Sequence, residues 1–216
     1  MVKSEDIWPT YNVGKPEHLH ALGVISLLFN SFERGMDELF HFHPHRQGVP
    51  AEFADYFFYN LADEKRLNAV KFVFDRYEAD DAVKNVIRNL IDYFNWCHQA
   101  RNMLLHAEHY PPLFGGQEDV FYISKPANRR ERKRGYKAIP LSELRGIGDR
   151  IEEGVMQCTR VRLFLRTRGV PLSDLSLALR MQAPFELPGT LSIPTKLELS
   201  STPPGPLRPA YLRPHD

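Results

Sequence analysis

The sequence predicts an all-α protein: an antiparallel bundle of four to five helices, with a small β-hairpin insertion and an extended, proline-rich C-terminal tail. Apolar residues recur at alternating steps of three and four along several long segments, as on one face of a helix. Two short β-like runs flank a basic turn, and prolines crowd the final quarter of the chain. We expect one domain over 1–168, including the hairpin at about 118–140, and a tail over 169–216.

Composition limits the class of protein. The 216 residues suit one domain with an appendage, and 28 basic against 27 acidic side chains give a net charge of +1. Such a balance provides no general attraction to nucleic acid or membrane, so anion binding must come from local patches. The start of the sequence lacks the apolar core of a signal peptide, and the apolar run over 22–29 is too short to span a membrane. We expect a soluble, cytoplasmic protein.

The two cysteines, Cys97 and Cys158, both fall in apolar helical stripes. This position favours buried, reduced thiols, and two cysteines are too few for a disulfide-based scaffold. A bridge between the two remains an alternative at this point.

The first three helices are predicted from their apolar spacing and their boundaries. Pro16 opens a long helix that we expect to last until Pro44. A short, very aromatic segment over 52–61 follows. We expect the tyrosines and phenylalanines of this segment, and also Trp96, in the helical core or in a dimer interface. Asp63 is then placed to cap a third helix.

The remaining elements follow the same logic. Acidic Asp80 and Asp81 begin a helix that we expect to run to Tyr110, where two prolines forbid continuation. The segments over 120–124 and 136–139 look like two strands around a basic turn. Ser142 is placed to cap a last long helix whose apolar residues keep core spacing to Leu165.

An arginine interrupts the apolar face of the helix that begins at Asp80. The row at helical spacing reads Val83, Ile87, Leu90, Phe94 and Cys97, and then Arg101 takes a position where leucine would pack better. An arginine cannot lose its charge, so a core-facing one needs acceptors, water or an incoming anion.

A line of polar residues runs beside Arg101 on the same predicted helix. Its members recur at steps of three and four: Asn95, His98, Asn102, His106 and His109. At about 1.5 Å per residue, Arg101 and His106 are about 7.5 Å apart along the axis, which a long guanidinium arm can span toward one phosphate. The sequence therefore predicts a cation, an amide and an imidazole in one site.

The segment Arg101-Asn102-Met103-Leu104-Leu105-His106 resembles the Arg-polar-x-x-x-His motif of the HEPN superfamily, the "higher eukaryotes and prokaryotes nucleotide-binding" domains. The resemblance covers about residues 16–168 and implies a four- to five-helix bundle. It also implies a metal-independent ribonuclease that dimerises around a shared cleft, often in toxin-antitoxin or phage-defence systems. Some members of the superfamily have lost activity and serve as binding modules.

The chemistry of RNA cleavage suits these residue types. His106 as general base on a 2'-hydroxyl would start internal attack on the adjacent phosphate without a metal, leaving a cyclic phosphate. Arg101 would stabilise the charge that grows on the phosphoryl oxygens, and Asn102 would hold the imidazole or a phosphate oxygen. We therefore expect these three as catalytic residues, with no cofactor and no metal.

The turn of the hairpin is strongly basic. Such a density of cations attracts phosphates, although charge runs are more often simply solvated. With the two histidines of the polar line, the RNA-binding residues predicted here are Arg129, Arg130, Arg132, Lys133, Arg134, His98 and His109. The expected partners are RNA, a second copy of the chain, and an antitoxin or other regulatory protein that contacts the tail.

Other patterns support weaker alternatives. Arg34 and His41 form a second arginine-histidine pair, but Gly35 replaces the polar partner. Alternate histidines over 41–45 suit a transition metal, yet Pro44 breaks their presentation, so a fortuitous site is favoured. A single Glu-x-x-His at residues 17–20 is not enough for a di-iron site.

Two hypotheses compete with an enzyme. One is a non-catalytic helical module that binds a nucleotide, RNA or protein through the same groove, with the tail as a docking segment. The other is a purely structural protein, in which Arg101 forms a salt bridge to Glu33 or Glu38.

Overall fold

The computed structural model describes residues 15–109, 120–126, 134–180 and 185–201. This part of the chain is mostly helical and carries a small three-stranded antiparallel sheet, so the helical character is confirmed. The elements in chain order are α1 Pro16–Arg46, α2 Ala51–Tyr59, α3 Asp63–Tyr77, α4 Asp81–Leu105, β1 Glu108–His109, β2 Val120–Pro126, β3 Arg134–Pro140, α5 Leu141–Thr167, a 3-10 turn Leu172–Asp174 and α6 Leu177–Arg180. None of the described helices has the length and apolar character needed to cross a membrane.

The end of α1 differs from the prediction because of the local backbone. Pro44 lies inside the last turn of α1, which continues to Arg46. The chain then turns at Gly48, whose φ of 76° is the left-handed conformation common after helix ends. The start of α4 agrees with the prediction: the helix begins at Asp81, and the Asp80 Oδ1 atom caps it by accepting from the Ala82 amide at 2.8 Å.

Two predicted caps are wrong. Asp63 is the first residue of α3, and Ala62 takes the capping position without a side-chain hydrogen bond. Ser142 lies inside α5, which begins one residue earlier at Leu141.

The described residues form two compact units. Unit 1 contains residues 15–25, 100–109, 120–126, 134–148 and 196–201. Its sheet has the order β1-β2-β3, with Glu108 opposite Ser124 and Ser124 opposite Tyr136. The predicted hairpin is therefore β2 and β3, and β1 adds a third strand. Buried apolar side chains of the unit come from both the sheet and the helices: Ile25, Leu104, Phe121, Ile123, Ile139, Leu144 and Ile147.

The tail contacts the edge of this sheet. Tyr136 and Ser200 exchange two backbone hydrogen bonds of 2.8 Å, one in each direction. A Cβ at Gly135 would lie 2.7 Å from the Leu199 Cβ, so this approach requires glycine.

Unit 2 contains residues 26–99, 149–180 and 185–195. Its core is aromatic: Phe94 packs on Phe29 and Phe32 with ring centroids 5.1 and 4.9 Å apart, and Phe40 stacks on Phe58 at 4.5 Å. The helices contribute buried residues at the predicted spacing, including Met36, Leu39, Val70, Phe74, Val83, Ile87, Leu90, Ile151, Val161 and Leu165. The apolar stripes of the sequence thus identify most of this core.

Side chains of unit 2 hold an extended stretch of the tail over 185–195. The Asn89 amide accepts from the Leu191 backbone at 2.7 Å and donates to its carbonyl at 3.0 Å. The Trp96 indole donates to the Thr195 carbonyl at 2.9 Å, and the Gln157 amide donates to the Gly189 carbonyl at 2.5 Å. These bonds satisfy the backbone of a segment that lacks regular secondary structure.

Candidate functional site

The C-terminal end of α4 carries Arg101 and Asn102 in unit 1. Arg101 is half-buried between Ala100 and Leu104, which are 2% and 3% exposed, and its Nε atom is shielded from solvent. Its Nη1 atom donates to the Asn102 Oδ1 atom at 2.8 Å. The predicted apolar position is therefore only partly buried, and the neighbouring amide engages the guanidinium directly.

His106 lies beyond the helix and not on it, because α4 ends at Leu105 and not at Tyr110. The His106 amide donates to the Asn102 carbonyl at 3.2 Å, which continues the helical hydrogen-bond pattern by one residue. The imidazole is exposed. Asn102 thus contacts both partners of the motif: its side chain binds Arg101, and its backbone binds the amide of His106.

The predicted polar line on one helix edge is wrong for its last two members, because His106 and His109 both lie beyond the end of α4. His109 lies on β1, where its backbone pairs opposite Ile123, and its ring packs on Phe121 at 4.9 Å. Burial, with a smaller contribution from His18, lowers the pKa of His109 below 6.5. His109 is therefore mainly neutral at neutral pH and offers little charge to a phosphate.

Arg134 carries its charge next to a carboxylate. Its guanidinium forms an ion pair with Glu108 and donates to the Ser124 hydroxyl at 3.2 Å. Glu108 is opposite Ser124 in the sheet, so strand pairing brings the three side chains together. The other cations of the predicted basic turn, Arg129, Arg130, Arg132 and Lys133, lie outside the described residues.

His98, the other predicted RNA-binding histidine, belongs to unit 2. It is half-buried, and its ring stacks on Phe29 at 5.7 Å and on Phe94 at 6.4 Å. These contacts give His98 a packing role within the core of that unit.

The two residues of the alternative pair, Arg34 and His41, contact different carboxylates. Arg34 pairs with Glu38 at 3.6 Å, whereas His41 contacts Asp55 at 3.0 Å. Glu38, one of the two predicted partners of Arg101, forms ion pairs with Arg34 and with Arg162. A salt bridge between Arg101 and Glu33 stays a prediction.

The alternate histidines of α1 face different surroundings. His43 is buried and lies 3.4 Å from the Glu78 carboxylate, and His45 is exposed. Within the ranges that the structure describes, no group of three histidine, cysteine or carboxylate residues is placed to hold a metal ion.

Sequence reasoning missed the residues that depend on strand and tail contacts. Glu108 was not predicted as a partner of Arg134, because nothing local marks Glu108–His109 as a strand. The hydrogen bonds from Asn89 and Gln157 to the tail were not predicted, because side chains that bind a distant backbone have no characteristic sequence spacing. Both cysteines are buried free thiols, as predicted.

Comparisons with protein-family models, with curated proteins and with solved structures found no match. The geometry at the end of α4, where Asn102 contacts Arg101 and His106, is therefore the basis on which a function is assigned.

Proposed function

We propose that this protein is a metal-independent endoribonuclease of the HEPN type, in which Arg101, Asn102 and His106 cleave RNA by attack of a 2'-hydroxyl on the adjacent phosphate. One observation carries the proposal: Asn102 contacts Arg101 through its side chain and His106 through its backbone, beside an exposed imidazole. The mostly helical character of the described residues supports the proposal, because the domains of that superfamily are helical bundles.

The reaction assigns one task to each residue. His106 accepts the proton of the 2'-hydroxyl, and the 2'-oxygen forms a bond to phosphorus while the bond to the 5'-oxygen breaks. The 5'-oxygen leaves with a proton from an acid, so the products are a 2',3'-cyclic phosphate and a 5'-hydroxyl. Arg101 stabilises the negative charge on the non-bridging oxygens, most strongly in the transition state. Asn102 orients the guanidinium, because the 2.8 Å bond restricts its rotation.

The assembly and cellular role belong to the same proposal. A homodimer would place two copies of the site around one RNA, and a protein acting as antitoxin or regulator would contact the C-terminal tail over 169–216. The role would be in a toxin-antitoxin or phage-defence system in the cytoplasm.

End-group analysis tests the chemistry. Wild-type protein and His106→Ala are incubated with total RNA in EDTA, and the new ends are identified. We expect 2',3'-cyclic phosphate and 5'-hydroxyl ends from wild type, and a single 2'-deoxy nucleotide on the 5' side of a mapped cut should abolish that cut. Products with 3'-hydroxyl ends, or cutting at the 2'-deoxy position, would refute attack by the 2'-hydroxyl.

A non-catalytic binding module is the second candidate, and the half-burial of Arg101 favours it. A guanidinium that has its Nε shielded and its Nη1 bound to Asn102 has less freedom to follow a moving phosphate. This candidate predicts RNA or nucleotide binding that Arg101→Ala weakens, with no new RNA ends at any protein concentration. Chelator-resistant cleavage that depends on His106 excludes it.

A further inference from the structure

A pocket of about 450 Å³ lies at the C-terminal ends of α1 and α5, entirely within unit 2. Six basic side chains line it: His41, His45, Arg46, Arg162, Arg166 and Arg168. Glu38 is the one acidic residue among the lining residues. The protein has a net charge of only +1, so the four arginines are a local concentration of cations that the overall charge does not reveal.

Close packing of α1 on α5 brings these cations together. A Cβ at Gly35 would lie 2.9 Å from the Cys158 Cβ, and a Cβ at Gly154 would lie 2.4 Å from the Phe32 ring. The two helices therefore approach closely over these turns and run in the same direction. Beyond this contact, each helix directs lining residues at steps of three and four into the pocket. Arg46 comes from α1, Arg162 and Arg166 come from α5, and Arg168 follows the end of α5.

Two of the arginines have no carboxylate partner within the described ranges. Arg162 pairs with Glu38, and Arg168 donates two hydrogen bonds of 3.0 and 2.5 Å to Glu78. Neither Arg46 nor Arg166 has a carboxylate partner among the residues described here. Burial, and then the charges of Arg166 and Arg34, lower the pKa of Arg162, as expected where cations crowd.

The helix ends account for only part of this positive charge. Each helix C-terminus carries about half a negative charge, so the two ends together attract about one cation. Arg46 and Arg166 provide two. An excess of positive charge therefore remains for a ligand.

Size and lining indicate the kind of anion. Small-molecule pockets measure about 300–1,000 Å³, so a pocket of about 450 Å³ is larger than an inorganic phosphate requires. Phe42, Leu165 and Val170 give it an apolar side, and arginine forks match the geometry of phosphate oxygens. A phosphomonoester carries a charge of about −1.5 to −2 at pH 7 and three strong acceptor oxygens, so one phosphate can accept hydrogen bonds from both Arg46 and Arg166.

We propose that this pocket binds a small phosphomonoester with an organic body of about the size of a nucleoside, with Arg46 and Arg166 as the phosphate ligands. The organic body lies against Phe42 and Leu165, and Arg162 and Arg168 stay paired with their carboxylates. The site is separate from Arg101 and His106, so the proposal stands or falls independently of the ribonuclease.

Calorimetric titration of the full chain with adenosine 5'-monophosphate tests the site. We expect saturable binding that weakens as salt is added, because the contact with the phosphate is electrostatic. Adenosine should not bind, and inorganic phosphate should bind more weakly than the nucleotide. Absence of nucleotide binding at millimolar concentration would overturn the proposal, and equal affinity for inorganic phosphate would overturn the role of the apolar side.

Charge-removing variants locate the binding. Arg46→Gln and Arg166→Gln should each weaken nucleotide binding about 10-fold or more, the range expected for a hydrogen bond to a charged group. Arg145→Gln removes an exposed arginine that belongs to the same helix as Arg166 but does not line the pocket, and it should bind like wild type. Both pocket arginines are exposed, so far-UV circular dichroism should match wild type.

Two results would contradict this location. The first is wild-type affinity in both Arg46→Gln and Arg166→Gln. The second is loss of nucleotide binding in Arg101→Ala, which would place the ligand at the end of α4 instead. Binding that persists in His106→Ala, with RNA cleavage abolished, would separate the two sites.

Discussion

Replacing Gly154 with alanine tests the close approach of α1 and α5 that positions the arginine pocket. The added Cβ would lie 2.4, 2.6 and 3.0 Å from three atoms of the Phe32 ring, whereas carbon atoms in contact prefer about 3.5–4.0 Å. Phe32 is fully buried and packs edge-on against Phe94, so its ring cannot move aside without disturbing its neighbours. Such overpacking costs about 1–3 kcal/mol, and better helix propensity returns at most about 1 kcal/mol.

We therefore expect Gly154→Ala to lower the free energy of unfolding by about 1–2 kcal/mol, measured by urea denaturation with circular dichroism. Gly146→Ala is the matched control, because Gly146 lies in the same helix and a Cβ there meets nothing within 4 Å. The control should be as stable as wild type or more stable by up to about 1 kcal/mol. Equal stability of the two variants would refute the close packing.

Three further predictions concern buried groups. Burial raises the pKa of Asp37 to about 6 from 3.8, so its charge destabilises the fold increasingly as the pH rises from 4 to above 6. Asp37→Asn should therefore stabilise the protein by about 1 kcal/mol at pH 7.5, after allowance for partial exposure, and should change little at pH 4 in thermal melts. Burial alone would raise the pKa of Glu78, but the hydrogen bonds from Arg168 hold it below 4.5. Arg168→Leu should therefore destabilise the protein by about 3 kcal/mol at pH 7, and by less as the pH falls and the Glu78 carboxylate gains a proton. The double variant with Glu78→Gln should recover part of this stability. An unchanged melting temperature of Arg168→Leu would contradict the importance of the ion pair. Burial raises the pKa of the Cys97 thiol to about 12 and also raises the pKa of the Cys158 thiol. Neither thiol should therefore react with a disulfide reagent at pH 8 until the protein unfolds, and two thiols per chain should react after unfolding. Fewer than two reactive thiols would favour a disulfide bridge.

The long helices were predictable because their apolar residues are local and periodic. Phe29, Phe32, Leu90 and Ile151 are each at most 1% exposed, as the stripes of three and four imply. Helix ends were less predictable. Asp63 was expected to cap the N-terminus of α3 because it has the first side chain suited to that position. Instead, Ala62 takes the N-cap position, without a side-chain hydrogen bond.

The candidate site was predictable in its residues but not in its geometry. The charge of Arg101 within an apolar row, next to Asn102, marks the site in the sequence, and the two side chains are indeed bonded. The end of α4 was not predictable, because Glu108 and His109 leave the helical path to pair with residues 123–124, and such pairing has no local signal. Exposure of His106 beyond the helix follows from that pairing.

The rate of RNA cleavage in EDTA by His106→Ala is the most direct test of the proposed ribonuclease. The comparison is with wild type and with His20→Ala, which removes an exposed histidine of α1 and should cleave like wild type. We predict that His106→Ala loses at least about 100-fold in rate, the lower end of what a general base contributes. Cleavage by His106→Ala at the wild-type rate would contradict the central role of this residue.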